Sequence, residues 1–581
     1  MADAQKFARL ASDSAEERAI RARALAPRKS LAARCCACCA SNISQPVVSL
    51  LKSVESGAIL PIKGSWLVSL KETGGVLKRR DHTAPEAFWS PADLWRRAQS
   101  LGEDADLMFV AISHAPRLPQ QDEMAGVYLQ LVASVAKLYL GTSGYYTKAP
   151  AEMSPLAMAH LKAGLPEESS DFAVFWPFAS LPPSQQQPWS NESAAWFRHA
   201  ICWILPGDDG GGDGTTASSQ PLAYATSGTC AVEAAISALA NTGLRRLDLT
   251  KRTPDAMRKA YSGHDWAPAD RLDRVCASWL PPRSPESFAR FVEGKSFRDC
   301  CREGDGHGGG MEGMGDDDND DNAAKAAASA DAARACAVEA YRAAFDDATR
   351  AVHSLDFSRL GWSATELDEL FLSLPRFTCL MQLNLSRNTF DGNAVRSFCS
   401  CMAEWGRQNA AIESVDVSSC ELGAEGAAVL APGVAAAPPS LTELNLAANF
   451  ITNEGARSIA DALTNGASCA LRKLNLETNE IRTEGAEAIG TACAHHSSLT
   501  DLSLRDNLLK DEGAVALAAA LSHRRPWGKR HRLRALDVRS NGIGERGAQA
   551  LANCHLGDGL QIGVVIHLAR TASGRFKVPG L

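Results

Sequence analysis

A nine-residue motif that returns six times in the C-terminal part limits what this chain can fold into more than any other feature. It reads LMQLNLSRN from Leu380, IESVDVSSC from Ile412, LTELNLAAN from Leu441, LRKLNLETN from Leu471, LTDLSLRDN from Leu499 and LRALDVRSN from Leu533. Each fits L-x-x-L-x-L-x-x-N/C, with Ile or Val standing in for Leu. The closing position is Asn388, Cys420, Asn449, Asn479, Asn507 and Asn541, at steps of 28 to 34 residues. From the second unit on, a glycine follows six residues later (Gly426, Gly455, Gly485, Gly513, Gly547), and an Ala/Leu-rich helical stretch follows the glycine. The alternating apolar positions make a short strand with one buried face. The Asn side chain is suited to satisfying backbone groups where the chain leaves the strand. No single unit can bury its own face, so the units must stack.

This pattern resembles leucine-rich repeats of the long β-α class and is similar to ribonuclease inhibitor repeats. The resemblance implies a horseshoe with parallel strands on its concave side. VHSLDFSRLGW, from Val352, followed by TELDELFLSL, reads as an N-terminal capping unit, and LQIGVVIHL, from Leu560, as a closing strand. Residues between the apolar strand positions should line the concave face in columns. The candidate protein-binding residues there are Glu443, Asn445, Lys473, Asn475, Glu477, Asp501, Arg505, Asp537 and Arg539. The face is polar, mixed in charge and nearly free of aromatics, and it carries no convergent catalytic set. It reads either as a solvated face or as a protein-binding one.

Residues 60–300 alternate strand-like and helix-like segments. LMFVAIS reads as a buried strand, EMAGVYLQLVASVAKLYL as an amphipathic helix and DFAVFWPFASLP as a second strand. NESAAWFRHAICWIL reads as a helix followed by a strand, GTCAVEAAISALANTG as a helix and LRRLDLT as a strand. That order predicts a parallel sheet wrapped by helices, with any ligand beyond the carboxyl ends of the strands. Residues 1–59 read as an unstructured or targeting-like tail, and 301–335 as a flexible Gly/Asp/Ala-rich insertion with an acidic run at 316–321. Residues 336–379 read as a connector helix and repeat cap, and 380–581 as the repeats. Residues 207–219, GDDGGGDGTTASS, look like a smaller surface insertion.

The charge of −7 argues against nucleic acid as a partner, and no run approaches the roughly 18 apolar residues of a membrane span. The first 31 residues lack the apolar core of a secretory signal; their Arg/Ala/Ser bias leaves organelle targeting open. Seventeen dispersed cysteines read as reduced thiols in a cytoplasmic protein. The cluster Cys35, Cys36, Cys38 and Cys39 lacks zinc-ligand spacing; S-acylation is a second reading of it. The acidic run lacks the Gly and Glu of a calcium loop, so no metal and no cofactor is expected. Ser113 and His114 are neighbours on a strand and point to opposite faces, so they do not form a nucleophile and its base.

The segments LKRRDHTAPEAFWS, VAISHAPRL, FWPFASLPPSQQQ and SGTCAVEAAISAL, in this order, resemble an algal and protist family with a TIR-like domain before leucine-rich repeats. SPESFARFVEGKSF and AVEAYRAAF look similar to its connector. The resemblance implies an α/β chain, with an N-terminal TIR-like parallel-sheet domain followed by the repeat horseshoe. It also singles out Glu233, in TCAVEAAI, at the position where some TIR domains carry the Glu that assists NAD cleavage. The chain departs from the family pattern at Pro177, at Thr229 and after His114, where APRL replaces a Trp. With these markers changed, Glu233 reads instead as a surface helix residue, or as an acid in a first helical turn favoured by the helix dipole. The expected function is a protein-interaction scaffold or adaptor using the concave surface. An NAD-cleaving signalling enzyme with the repeats as sensor, and a structural subunit of a larger assembly, are the alternatives.

Overall fold

The computed structural model describes residues 43–553 apart from 114–122, 125–126, 141–154, 167–169, 183–190, 206–226, 240–245, 249–280, 296, 298–316, 409, 466–469, 497 and 523–532. The N-terminal part holds strands β1 (Ile62–Lys63), β2 (Leu77–Lys78), β3 (Phe109–Ser113), β4 (Glu123–Met124), β5 (Ala173–Phe175), β6 (Ile201–Ile204) and β7 (Arg246–Asp248). Five of them form one sheet in the order β1-β5-β3-β6-β7, while β2 and β4 pair separately. β3, β5, β6 and β7 run parallel, as the alternation of segments predicts. β1 is an addition at the edge, antiparallel to β5. Every residue of β3 and β6 is buried, which is why both read as unbroken apolar runs.

Helix Val127–Leu140 connects β3 to β5 on one side, and helix Asn191–His199 connects β5 back to β6 on the other. Right-handed crossovers in opposite directions along a sheet put their helices on opposite faces. Trp196 from the second helix fills its side of the core, with ring centroids 5.5 Å from both Phe109 and Phe175. The segment read as one strand, DFAVFWPFASLP, divides: β5 stops at Phe175 and Pro177–Ser180 forms a single helical turn. Pro177 supplies no N–H, so it suits a helix start and ends the ladder.

Two expected boundaries are corrected. Residues 45–55, placed in the unstructured tail, form helix Gln45–Glu55, which buries Val47, Val48, Leu50, Leu51 and Val54 in the core. Its polar-looking neighbourhood hid a true apolar stripe. The flexible insertion at 301–335 is also wrong from residue 317 onward, because Asp317–Ala351 is one continuous helix of 35 residues. Its acidic start suits the positive end of the helix dipole, and its alanines have the highest helix propensity.

This long helix is a packed joint. Tyr341 stacks on Phe288 of helix Pro285–Glu293 at 3.9 Å between ring centroids, and Phe345 meets Phe377 edge-on at 5.6 Å. The Tyr341 hydroxyl donates to the Arg283 carbonyl at 2.9 Å and accepts from the Arg283 N–H at 3.0 Å. Arg198 bonds the Ala344 carbonyl and pairs with Asp347, while Arg283 pairs with Glu369 and Arg376 with Glu286. One hydrophobic cluster runs from Ile43 to Leu551 through this joint.

The C-terminal part carries β8 (Ser354–Asp356), β9 (Gln382–Asn384), β10 (Ser414–Asp416), β11 (Glu443–Asn445), β12 (Lys473–Asn475), β13 (Asp501–Ser503) and β14 (Ala535–Asp537), paired in chain order as one parallel sheet. The unit expected to cap the repeats supplies β8 and helix Ala364–Ser373. The central residue of each strand is buried and its flanking residues are partly or fully exposed. Helices follow each strand and pack neighbour on neighbour. Gly455 and Gly485 lie in the first turn of two of them; a Cβ at Gly455 would lie 2.8 Å from Ala427 Cβ of the preceding helix, so only glycine permits this spacing. The proposed closing strand from Leu560, residues 207–219 and Cys35, Cys36, Cys38 and Cys39 lie outside the described residues.

Candidate functional site

The repeat motif's Asn positions form a buried ladder. Asn479 Oδ1 accepts from the Asn449 N–H at 2.9 Å and the Ile451 N–H at 3.3 Å, while its Nδ2 donates to the Leu446 carbonyl at 2.9 Å. Asn507 repeats the pattern toward Asn479 and Ile481, with Nδ2 on the Leu476 carbonyl. Asn449 accepts from the Cys420 N–H, Asn541 from the Leu509 N–H and Asn388 from the Trp362 N–H. Cys420, in the Asn position of its own unit, directs its thiol at the Leu385 carbonyl, 3.3 Å away. Burial pushes that thiol up to about 12. These six residues tie one repeat's turn to the next.

A second ladder, which the sequence reading assigned to partner binding, is also structural. Asn445 Oδ1 accepts from the Ala447 N–H at 3.1 Å, Asn475 Oδ1 from the Glu477 N–H at 3.0 Å and Asp537 Oδ1 from the Arg539 N–H at 3.0 Å. Asp356, Asn384 and Asp416 do the same in the earlier units. Each closes the turn that leaves its strand. The second polar atom is also engaged in two of these residues: Asn445 Nδ2 donates to Asp416 at 2.9 Å, and Asp537 Oδ2 accepts from Arg539 at 2.5 Å.

The charged candidates are brought together as expected. Register places Glu443 opposite Lys473 and Lys473 opposite Asp501. Lys473 pairs with Glu443, Arg505 with Glu477 at 3.6 Å, and Arg539 with Asp537 at 2.5 Å. Arg539 beside Asp537 holds its carboxyl below the usual carboxylate range, opposing its partial burial. The array is therefore an internally balanced lattice of charges, half-exposed along parallel strands.

One recurrent role escaped the sequence reading. Asn453 Oδ1 accepts from the Arg482 and Gly485 N–H groups, and Asp511 Oδ1 from the Gly544 and Gly547 N–H groups at 2.8 Å each. Each side chain caps the helix start of the following repeat, satisfying N–H groups a helix leaves open. The signal was present: a polar residue stands two positions before the glycine at Asn453, Thr483 and Asp511.

In the N-terminal part, Glu233 is corrected from a surface acid to a buried one, with 2 % of its surface exposed. It lies on helix Gly228–Ala238, which the Ser227 side chain caps by accepting from the Cys230 N–H. Ser113, the last residue of β3, donates to Glu233 Oε2 at 2.5 Å. Loss of water around the carboxyl raises its pKa to about 8, against the lowering effect of the Ser113 hydroxyl. At neutral pH it is mostly protonated. His114 lies outside the described residues. The LKRRDHTAPEAFWS segment lines an open cavity of about 500 Å³ with Leu60, Arg80, Asp81, Phe88 and Trp89 among its walls. The Arg80 guanidinium is spent there on the Ala58 and Gly57 carbonyls.

The raised pKa has a measurable consequence. The folded protein binds this proton between the ordinary carboxylate range and about pH 8, so the associated stability is greatest below that range and is lost as pH rises through 8. Glu233→Gln keeps an acceptor for Ser113 without the ionisable proton. Melting of the variant should therefore gain on wild type as pH rises from 5 to 8, by up to about 1.4 kcal/mol per pH unit. Parallel profiles would refute the buried placement.

A Leucine Rich repeat family model matches residues 408–431, 437–460, 467–490, 495–518 and 531–552. Residues 408–552 thus carry leucine-rich repeats, within a chain of mixed α/β content. Among solved structures, the leucine-rich repeat-containing protein LegL7 from Legionella pneumophila is similar at 18 % identity, over 34 % of this chain and 61 % of that one, with a TM-score of 0.24. No curated protein matches the chain. No helix among the described residues is long and apolar enough to cross a membrane.

Proposed function

We propose that this protein is an interaction scaffold or adaptor whose concave repeat surface holds a protein partner. The observation that carries this reading is the in-register array of Glu443, Lys473 and Asp501 beside Glu477, Arg505 and Arg539 on rigid parallel strands. Such an array loses little ordering entropy on binding, and alternating charge favours orientation and specificity over raw affinity. Asn445, Asn475 and Asp537 hold the strand ends beside this array. A structural subunit of a larger assembly would use the same face. A cytoplasmic location belongs to this reading, on the dispersed cysteines of the sequence.

Reversing Lys473, Glu477 and Arg505 together tests it. Affinity capture from the native source should recover a protein with wild type, more weakly as salt rises, and lose it with the triple variant while the melting temperature holds. Retention of every captured protein at unchanged salt sensitivity removes the concave face as the site.

For the N-terminal part we favour a TIR-like domain. Taken among the parallel strands, β3 is first, β5 second, β6 third and β7 fourth, and their 2-1-3-4 order is that of the flavodoxin-like doubly wound class. NAD cleavage would recruit Glu233 to stabilise a cationic sugar, a task that requires an ionised carboxylate. Its protonated, Ser113-bound state supports the scaffold reading instead. Nicotinamide release from NAD that disappears in Glu233→Ala would promote the enzyme.

A further inference from the structure

The repeat edge where each strand turns toward its helix carries two exposed large apolar side chains, Phe450 at 56 % and Leu508 at 41 % of full exposure. Each directly follows a ladder residue, Asn449 or Asn507, so they stand two repeats apart, about 10 Å at the ordinary strand spacing. The equivalent residues of the neighbouring repeats are Glu421 and Glu480, both exposed. Neither acid has a side-chain hydrogen bond or ion pair among the described residues. The rim therefore alternates acid, apolar, acid, apolar.

Phe450 also has a φ of +55°, in the left-handed region that bulky residues avoid. Glu421 and Glu480 share that conformation, whereas Leu508 does not. An exposed aromatic ring there gains nothing from the core. One helix turn farther on, Glu425, Glu454, Glu484 and Glu512 add an exposed acid from four successive units, of which Glu484 is paired with Arg457. Arg457, Arg482 and Lys510 are exposed basic residues of the same units, fewer than the acids around them.

We propose that this rim is a docking site, separate from the concave face, for a basic segment of a partner protein. That segment presents two apolar side chains about 10 Å apart, one to Phe450 and one to Leu508, and its Lys or Arg residues to Glu421 and Glu480. The complementarity of charge selects the occupant: acids with no basic partner border both apolar anchors. On a helical segment the spacing corresponds to residues seven apart.

The test uses the full chain and a synthetic Lys/Arg-rich peptide with leucines seven residues apart, followed by fluorescence anisotropy. Wild type should bind it about tenfold or more tightly than the same peptide with both leucines changed to serine. Phe450→Ser with Leu508→Ser should abolish that preference, since both positions are exposed and the fold loses no core contact. Glu421→Lys with Glu480→Lys should weaken both peptides and flatten their salt dependence. Equal binding of the two peptides by wild type, or a preference that survives the serine pair, overturns the site. Two further results overturn the occupant. One is self-association by light scattering that the serine pair abolishes, which assigns the rim to a second copy. The other is a gain in peptide affinity on removing residues 1–42, which assigns it to the chain's own Arg-rich start.

Discussion

Asn479→Ala will destabilise the repeat stack by about 4 kcal/mol, far more than its loss of one small side chain suggests. The side chain is fully buried between two units. Its Oδ1 is the acceptor for the Asn449 and Ile451 N–H groups, and alanine leaves both donors without a partner in a site closed to water. Each buried unsatisfied donor costs about 1–3 kcal/mol. The carbonyls served by Nδ2 suffer less, because the Leu446 carbonyl also accepts from Asn449. Asn479→Asp separates the two halves of the role, since it retains the acceptor, loses the donor and buries a charge. Glu480→Ala, one residue on and exposed, should stay within about 0.5 kcal/mol. Because repeats couple mainly to their neighbours, the alanine variant should open first at the junction of the third and fourth units. Denaturant unfolding with hydrogen exchange reads both quantities. A loss below about 1 kcal/mol would mean the ladder is ornamental.

The repeat part was legible because its physics is local and periodic. Leu444, Leu474 and Leu502 each occupy the central buried position of their strands, and a period of about thirty residues repeated that fact until it could be read. The Asx turns at Asn445 and Asn475 were equally local, yet they were assigned to binding. A side chain bonded to the backbone two residues on looks, in sequence, the same as one waiting for a partner. In the N-terminal part the order of strands and helices was legible from apolar runs. The edge strand β1 was not, since two residues carry no period. Glu233 shows a sharper limit: the Ser113 hydroxyl that partners it lies 120 residues away, and no helical pattern around it reports that contact. The acidic run at 316–321 misled for a related reason. Charge density reads as a solvated loop, whereas a helix start tolerates it, and the apolar side chains that hold the helix, Tyr341 and Phe345, come only twenty residues later.

That helix decides whether the two parts behave as one body, and Tyr341→Ala is the substitution that will separate them. The ring is fully buried and stacked on Phe288, and the hydroxyl serves both backbone groups of Arg283. Removing it leaves a ring-sized cavity and an unpaired N–H, together about 4 kcal/mol. Tyr341→Phe keeps the stack and loses only the hydroxyl, for about 1–2 kcal/mol. With the joint intact, calorimetry should show the sheet domain and the repeats melting together. In the alanine variant the transition should split, and mild proteolysis should release a repeat fragment that the wild type protects. The same reasoning sets where a stable repeat fragment can begin. A start near Ala340 would cut the 35-residue helix within a few residues of Tyr341, while a start at Asp317 retains it whole. Either fragment leaves Tyr341 without Phe288 and exposes a face the sheet domain covers. The longer fragment should therefore be the better folded of the two, yet less stable than the repeats within the intact chain. If Tyr341→Ala melts in one transition at nearly the wild-type temperature, the helix is a tether, and the repeats and the sheet domain are independent bodies.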